Sequence, residues 1–120
     1  MTKVASHDEI SKSLRAFVEG YNRNARLKAM NRDWNRTVLV EATDIPSQHT
    51  LVLRDGELML LEGAVGEADL TVTAGSDLLA DLFAGEITPT EPYLDGRLKV
   101  LGREEDIIRL DFISLMIWGE

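Results

Sequence analysis

Apolar residues recur along this chain at helical spacing, then in alternation, then at helical spacing again. Ile10, Leu14, Phe17, Val18 and Tyr21 put one stripe on one helix face. Ser6 followed three residues later by Glu9 is a capping-box pattern, in which each side chain satisfies the other's backbone N–H. A helix over about 7–30 is predicted. Its second half, rich in Asn, Arg and Lys, has a weaker face made of Ala25, Leu27, Ala29 and Met30. After Arg36 the period becomes two. Thr37–Ala42 reads as a strand, and Asp44-Ile45-Pro46-Ser47 as a turn. His49–Arg54 and Glu57–Glu62 flank Asp55-Gly56, a dipeptide that tolerates the positive φ angles of a two-residue hairpin. Gly63–Gly66 turns the chain again, and Ala68–Thr73 alternates so that Leu70 and Val72 share the buried face. These strands lie within about 37–73, and a four-stranded meander is their simplest arrangement.

Ser76 is placed to cap a short helix over 77–84, which Gly85 can close in the left-handed conformation. Pro89 and Pro92 forbid regular pairing in the next segment. Residues 96–101 alternate as a fifth strand, and the acidic triplet Glu104-Glu105-Asp106 suits the positive end of a helix running over 104–118. In that last helix Ile107, Ile108, Leu110, Phe112, Ile113, Leu115, Met116, Ile117 and Trp118 leave only Arg109, Asp111 and Ser114 polar. Apolar surface therefore wraps most of the circumference, more than one sheet face can cover. The first helix, a second subunit, a membrane surface or a bound apolar molecule could cover the remainder.

The 120 residues, 44% of them hydrophobic and 28% charged, suit one soluble domain spanning 1–120. No apolar run approaches the ~20 residues of a membrane span, and MTKVASHDEI lacks the apolar core of a signal peptide, so a cytoplasmic chain is expected. The absence of cysteine excludes disulfides, thiolate metal sites and cysteine nucleophiles. Net charge is −8, and it is uneven, with Arg23, Arg26, Lys28, Arg32 and Arg36 forming a basic stretch in an otherwise acidic chain. That stretch reads as a solvated helix face and not as a nucleic-acid footprint, which needs a basic domain. It could still touch anionic headgroups transiently.

Catalytic constellations are lacking in the sequence. His7 and His49 have no metal-ligand spacing, so no metal site and no cofactor are expected. Ser47 and His49 lie two apart, but no nucleophile elbow or third member accompanies them, and they read as a strand-edge pair at a turn. Gly63 and Gly66 lack the neighbours of a phosphate loop. Asn35-Arg36-Thr37 is a formal glycosylation sequon without a secretion signal.

The order of the pieces carries more than any one of them. The hairpin LVLRDGELMLLEG is followed by the strand ADLTVTAGS, the helix SDLLADLFAGEITP and the segment YLDGRLKVLGREEDIIRL, with Gly85, Pro89, Gly96 and Gly102 as punctuation. From Val38 to Leu110 the chain resembles the sterol carrier protein type 2 family, in the manner of a stand-alone bacterial member. The resemblance implies an α+β fold, in which a five-stranded mixed, mostly antiparallel sheet has helices covering one face around an apolar tunnel. It also implies a non-enzymatic carrier of a long-chain lipid: a fatty acid, acyl-CoA, sterol or isoprenoid-like molecule. The candidate lining residues are Leu79 and Phe83, Leu98 and Val100, and Ile108, Phe112, Leu115 and Met116, with Met59 and Met116 able to adapt to different tails. The end Trp118-Gly119-Glu120 is no Ser-Lys-Leu peroxisomal address. Two alternatives stay open: a homodimerisation or interaction module, and an accessory domain that presents a lipid-like substrate to a partner enzyme.

Overall fold

The computed structural model describes residues 4–118, so the ends of the expected 1–120 domain lie outside the described residues. The chain begins with α1 (His7–Asn22), whose capping box forms as expected: Glu9 N–H donates to Ser6 Oγ at 3.1 Å, and Ser6 N–H donates to Glu9 Oε1 at 3.0 Å. The helix does not run to residue 30. Asn24 accepts from Leu27 N–H and starts a new helix, α2 (Ala25–Met30), so the single helix over 7–30 is corrected to two. A second side chain fixes the break. Asn22 donates from Nδ2 to Leu58 O at 2.9 Å and accepts from Leu58 N–H at 3.1 Å, which ties the end of α1 to a strand.

Five strands follow: β1 (Arg36–Ala42), β2 (Gln48–Arg54), β3 (Glu57–Glu62), β4 (Leu70–Ala74) and β5 (Lys99–Leu101). The hairpin between β2 and β3 turns on Asp55 and Gly56, both at positive φ, and pairs Arg54 with Glu57. The expected meander is overturned, because the strand order is β3-β2-β1-β4-β5 with β4 parallel to β1. Residues 63–69 can reach ~3.3 Å each, ample for crossing three strand spacings of ~4.8 Å. Two bonds then clamp the parallel start: Asp69 N–H donates to Thr37 O at 2.8 Å, and Thr37 N–H donates to Asp69 Oδ2 at 2.8 Å. This arrangement centres β1 and puts Val38 and Val40 in register with Leu70 and Val72 on one side and with Leu51 and His49 on the other.

That face packs against the helices. Ile10, Leu14, Phe17 and Tyr21 of α1 join Leu78, Leu79 and Phe83 of α3 (Ser76–Phe83) and Ile113 of α5 (Glu104–Trp118) in one buried cluster with Val38, Val40, Leu51, Leu70 and Val72. Each such side chain contributes ~1.5–3 kcal/mol by leaving water. Ser76 proves to be the first residue of α3 and not its cap, which is Gly75. The cap function comes from a distance: Asp44, in the β1–β2 turn, accepts from Ser76 N–H and from its hydroxyl, both at 2.8 Å. Pro89 and Pro92 do prevent strand pairing, but the segment coils into a one-turn helix, α4 (Thr90–Leu94). The expected strand over 96–101 shortens to β5 because Leu98 N–H turns back to Pro92 O.

Replacing Asp44 with Ala should lower stability by ~1–2 kcal/mol, the usual cost of a lost helix cap. Asp44→Asn should retain most of it, because an amide oxygen still accepts from Ser76 N–H. Urea unfolding of the three chains measures the difference.

Candidate functional site

One side of α5 does not reach the sheet. Between that side, the β4–β5 edge, the end of α3 and the α4 turn opens a groove of about 480 Å³. Its floor includes Val72, Leu98 and Val100, and one wall is Leu82 and Phe83 of α3. The α4 segment adds Ile87, Tyr93 and Leu94, and α5 contributes Ile107, Ile108, Leu110, Leu115 and Trp118. The volume falls within the ~300–1,000 Å³ of ligand pockets, and the mixture of many apolar groups with few polar ones is typical of them.

Two anchors hold α5 away from the sheet. At its start Asp106 is buried, accepting from Trp34 Nε1–H at 2.9 Å and facing Arg36 Nε at 3.1 Å. One turn on, Arg109 donates to Asn31 Oδ1 at 2.8 Å, and the guanidinium carbons of Arg36 and Arg109 each lie 5.4 Å from the Trp34 ring centroid. Burial raises the Asp106 pKa, but the hydrogen bonds from Arg36 and Trp34 and the charge of Arg36 outweigh it and hold the carboxyl below its ordinary value. At the other end Ile117 sits so close to α1 that a Cβ on Gly20 would lie 2.7 Å from it. Trp118 packs over Gly85, the left-handed residue that ends α3.

The structure distributes the eight residues singled out from the sequence. Phe83, Leu98, Val100, Ile108 and Leu115 line the groove. Leu79 does not, being fully enclosed in the core. Phe112 and Met116 do not line it either. Four residues on from Ile108 the helix has turned ~40° past a full turn, which puts Phe112 on the exposed flank and Met116 against the core. Met59 lies on the sheet face away from the helices, half exposed. Sequence reasoning missed Tyr93 and Leu94. The signal was there, since apolar residues in the Pro-rich segment have no pairing to explain them, and Leu94 is 79% exposed.

A second cluster was not legible at all. The rings of His7 and His49, distant in sequence, stack 4.2 Å apart and 13° from parallel. Ser47, paired with His49 in the sequence reading, instead donates to Nδ1 of His7 at 2.7 Å, and His7 Nε2–H donates to Glu62 Oε1 at 2.8 Å. His49 Nε2 lies 2.6 Å from Ser11 Oγ, while its buried Nδ1 has no partner. A protonated Nε2 donating to Ser11 leaves only an acceptor orphaned, the less costly tautomer. Among the described residues His7, His49 and Glu62 bring three ligand atoms within 4.8 Å of one another. A metal ion lies near the plane of each imidazole that binds it, and stacked rings offer no shared point of that kind without rotating. The Ser47 N–H is spent on Ile45 O and so is not available to an oxyanion beside the Ser47-His7-Glu62 chain. The cluster's chemistry is that of a proton-sharing clasp between α1 and the β2–β3 hairpin.

Residues 14–106 match the SCP-2 sterol transfer family. The chain belongs to that family. Among solved structures, UbiJ-SCP2, a ubiquinone synthesis protein, shares 22% identity and superposes with a TM-score of 0.68 over 92% of this chain and 95% of that one. The sterol carrier protein domain 2 of Helicoverpa armigera superposes at 0.69 with 14% identity, covering 99% of this chain and 97% of the other. The sec-alkylsulfatase Pisa1 from Pseudomonas sp. contains the fold as one part: 72% of this chain matches 14% of that one, at 20% identity and a TM-score of 0.59. At these identities the likeness is one of fold. No curated protein sequence matches the chain. Among the described residues no helix is long and apolar enough to cross a membrane. The SCP-2 fold thus appears here with its five-stranded mixed sheet and helices on one face, as the resemblance implied.

Two outcomes follow from the charges that frame the groove and the clasp. Asp106→Ala should cost ~2–3 kcal/mol, because Trp34 Nε1–H and Arg36 lose a buried partner. The Asp106 contribution is complete above the ordinary carboxylate range and is lost as pH falls below ~4. For His49, burial lowers the pKa most, the charges of His7 and Arg15 lower it further, and Glu62 opposes them. The unfolded chain therefore binds this proton first, near pH ~6.5, and stability should fall below that pH by at most ~1.4 kcal/mol per unit. Urea midpoints at pH 7.5 and 5.5 should differ less in His49→Gln than in the parent chain.

Proposed function

We propose that this SCP-2 chain binds a long-chain lipid in the groove between the β4–β5 edge and α5 and transfers it without covalent chemistry. The observation that carries the reading is the exposure of the groove's own apolar walls: Leu94 is 79% exposed, Ile108 63% and Leu115 53%. A fold that could bury these side chains would gain ~1.5–3 kcal/mol for each, so their exposure leaves a surface for a hydrocarbon to cover. Each methylene that does so gains ~0.8 kcal/mol with little demand for polar contacts. Phe83, Leu98, Val100, Ile108 and Leu115 are the proposed contacts for the tail, joined by Tyr93, Leu94 and Trp118. Exchange at a membrane surface fits the basic stretch, of which Arg23, Arg26 and Arg32 stay exposed while Lys28 and Arg36 face Glu57 and Asp106.

The position of Leu94 and Ile108 on the rim supports a second reading, in which a partner enzyme or a second copy docks over the mouth and receives a lipid-like substrate. The likeness to a ubiquinone synthesis protein and to part of a sulfatase favours an accessory role of this kind. Sedimentation with and without added lipid separates the two, since a dimer that closes over the groove should compete with lipid.

Native mass spectrometry of the chain purified without delipidation should show a bound lipid mass. Leu115→Glu should lose at least tenfold in lipid affinity, about 1.4 kcal/mol, while its urea midpoint stays near that of the parent chain because the position is exposed. A parent chain that carries no lipid and takes up no long-chain probe would overturn the carrier reading.

A further inference from the structure

The stacked histidines fasten the start of α1, and the two rings differ in what a proton does to them. His7 is partly exposed and can hold a proton on both nitrogens where it stands, because Glu62 already accepts from Nε2 and the Ser47 oxygen can turn to accept from Nδ1. His49 is fully buried, its Nε2 is spent on Ser11, and its Nδ1 has no partner. A second proton on that ring would be a buried donor without an acceptor, with the His7 ring stacked 4.2 Å away. The charged groups around the pair do not rescue it. Glu62 on β3 attracts the proton and Arg15 on α1 repels it. Glu41 on β1, which borders the same hollow as His7 and Glu62, already accepts from Gln48 Nε2 at 2.6 Å.

Water reaches His49 when the piece of chain over it moves, and that piece is short. It consists of residues 4–9, which His7 ties to Ser47 and Glu62, whereas Ile10, Leu14, Phe17 and Tyr21 anchor the rest of α1 in the core. Fraying of a helix end is among the least costly openings of a fold. The same piece carries Ala5, whose buried N–H donates at 2.9 Å to the hydroxyl of Ser76, the first residue of α3. The far end of that short helix is Leu82 and Phe83, one wall of the groove.

We propose that residues 4–9 are an acid-released latch: a proton on His49 frees them, α3 loses one of its two ties at Ser76, and the groove gives up part of its affinity for a tail. The last step rests on the reading of the groove as a lipid site. Linkage sets the direction. Burial foremost, and then the charge of His7, hold His49 below its ordinary pKa. Opening returns the ring toward that value, so the open form takes the proton first and gains on the closed one as pH falls through ~6.5.

Amide hydrogen exchange, corrected for the intrinsic rate at each pH, reads the latch with no ligand present. The N–H groups of Ala5 and Ile10 donate to Ser76 Oγ and Ser6 O. Their protection should fall at least threefold between pH 7.5 and 5.5, through an opening that low urea does not accelerate, whereas Val38 and Val40 exchange through urea-sensitive unfolding. His49→Gln should abolish the fall. His49→Phe, which keeps a ring in the stack, decides if the amide variant does not fold. A fluorescent long-chain alcohol has no group that titrates in this range and reads the groove: its affinity should drop twofold or more at pH 5.5 in the parent chain and stay level in the variant. Unchanged protection at Ala5 and Ile10, a fall that follows urea as Val38 and Val40 do, or a fall that His49→Gln retains overturns the latch. Lost protection with unchanged affinity overturns its coupling to the groove. An alcohol that binds at neither pH overturns the lipid reading, and exchange alone then decides the latch.

Discussion

The buried carboxylate of Asp106 decides where the last helix can lie. Because Trp34 and Arg36 both point to it, the first turn of α5 is fixed to the segment entering β1 and cannot slide onto the sheet. The far end is fixed by contact of another sort, through Ile117 and Trp118 against two glycines that make room for them. A helix held at its ends spans the interval between, and that interval is the groove. Polar specificity at one end and close packing at the other define a gap that a uniformly greasy interface would close.

This placement explains the excess of apolar surface on α5. Of its residues only Asp106 and Ile113 are fully buried, and Ile108, Phe112, Leu115 and Trp118 remain open to solvent to different degrees. The core cluster formed by α1, α3 and the central strands is complete without them. The core and the groove are therefore built largely from different parts of the fold: β1, β2 and β4 with α1 make most of the first, and β5 with α4 and α5 most of the second.

Local order was legible where chemistry acts over a few residues. The capping box at Ser6, the Asp55-Gly56 hairpin, the inward alternation of Leu70 and Val72 and the left-handed Gly85 all follow from short-range sterics and hydrogen bonding. What escaped involves groups brought together across the chain. The parallel pairing of β4 with β1 depends on Asp69 meeting Thr37, and alternation is blind to strand direction. Asn24 broke the first helix through a cap that an uninterrupted apolar count does not see. Leu79, Phe112 and Met116 have the same composition as groove residues, and only their angle about a helix axis separates them from Phe83 and Leu115. The stacked histidines come from segments whose meeting is a product of the whole fold.

Asn22 has an effect beyond ending α1. β3 is an edge strand, and at Leu58 both outward backbone groups are already taken by the Asn22 amide. With the outward donor and acceptor at the start of β3 occupied, that edge offers fewer pairing sites to another chain's strand, and the opposite edge, β5, offers only Lys99–Leu101. The Asn22 amide thereby takes one of the pairing positions on the β3 edge, and an intruding strand would have to displace it to dock there.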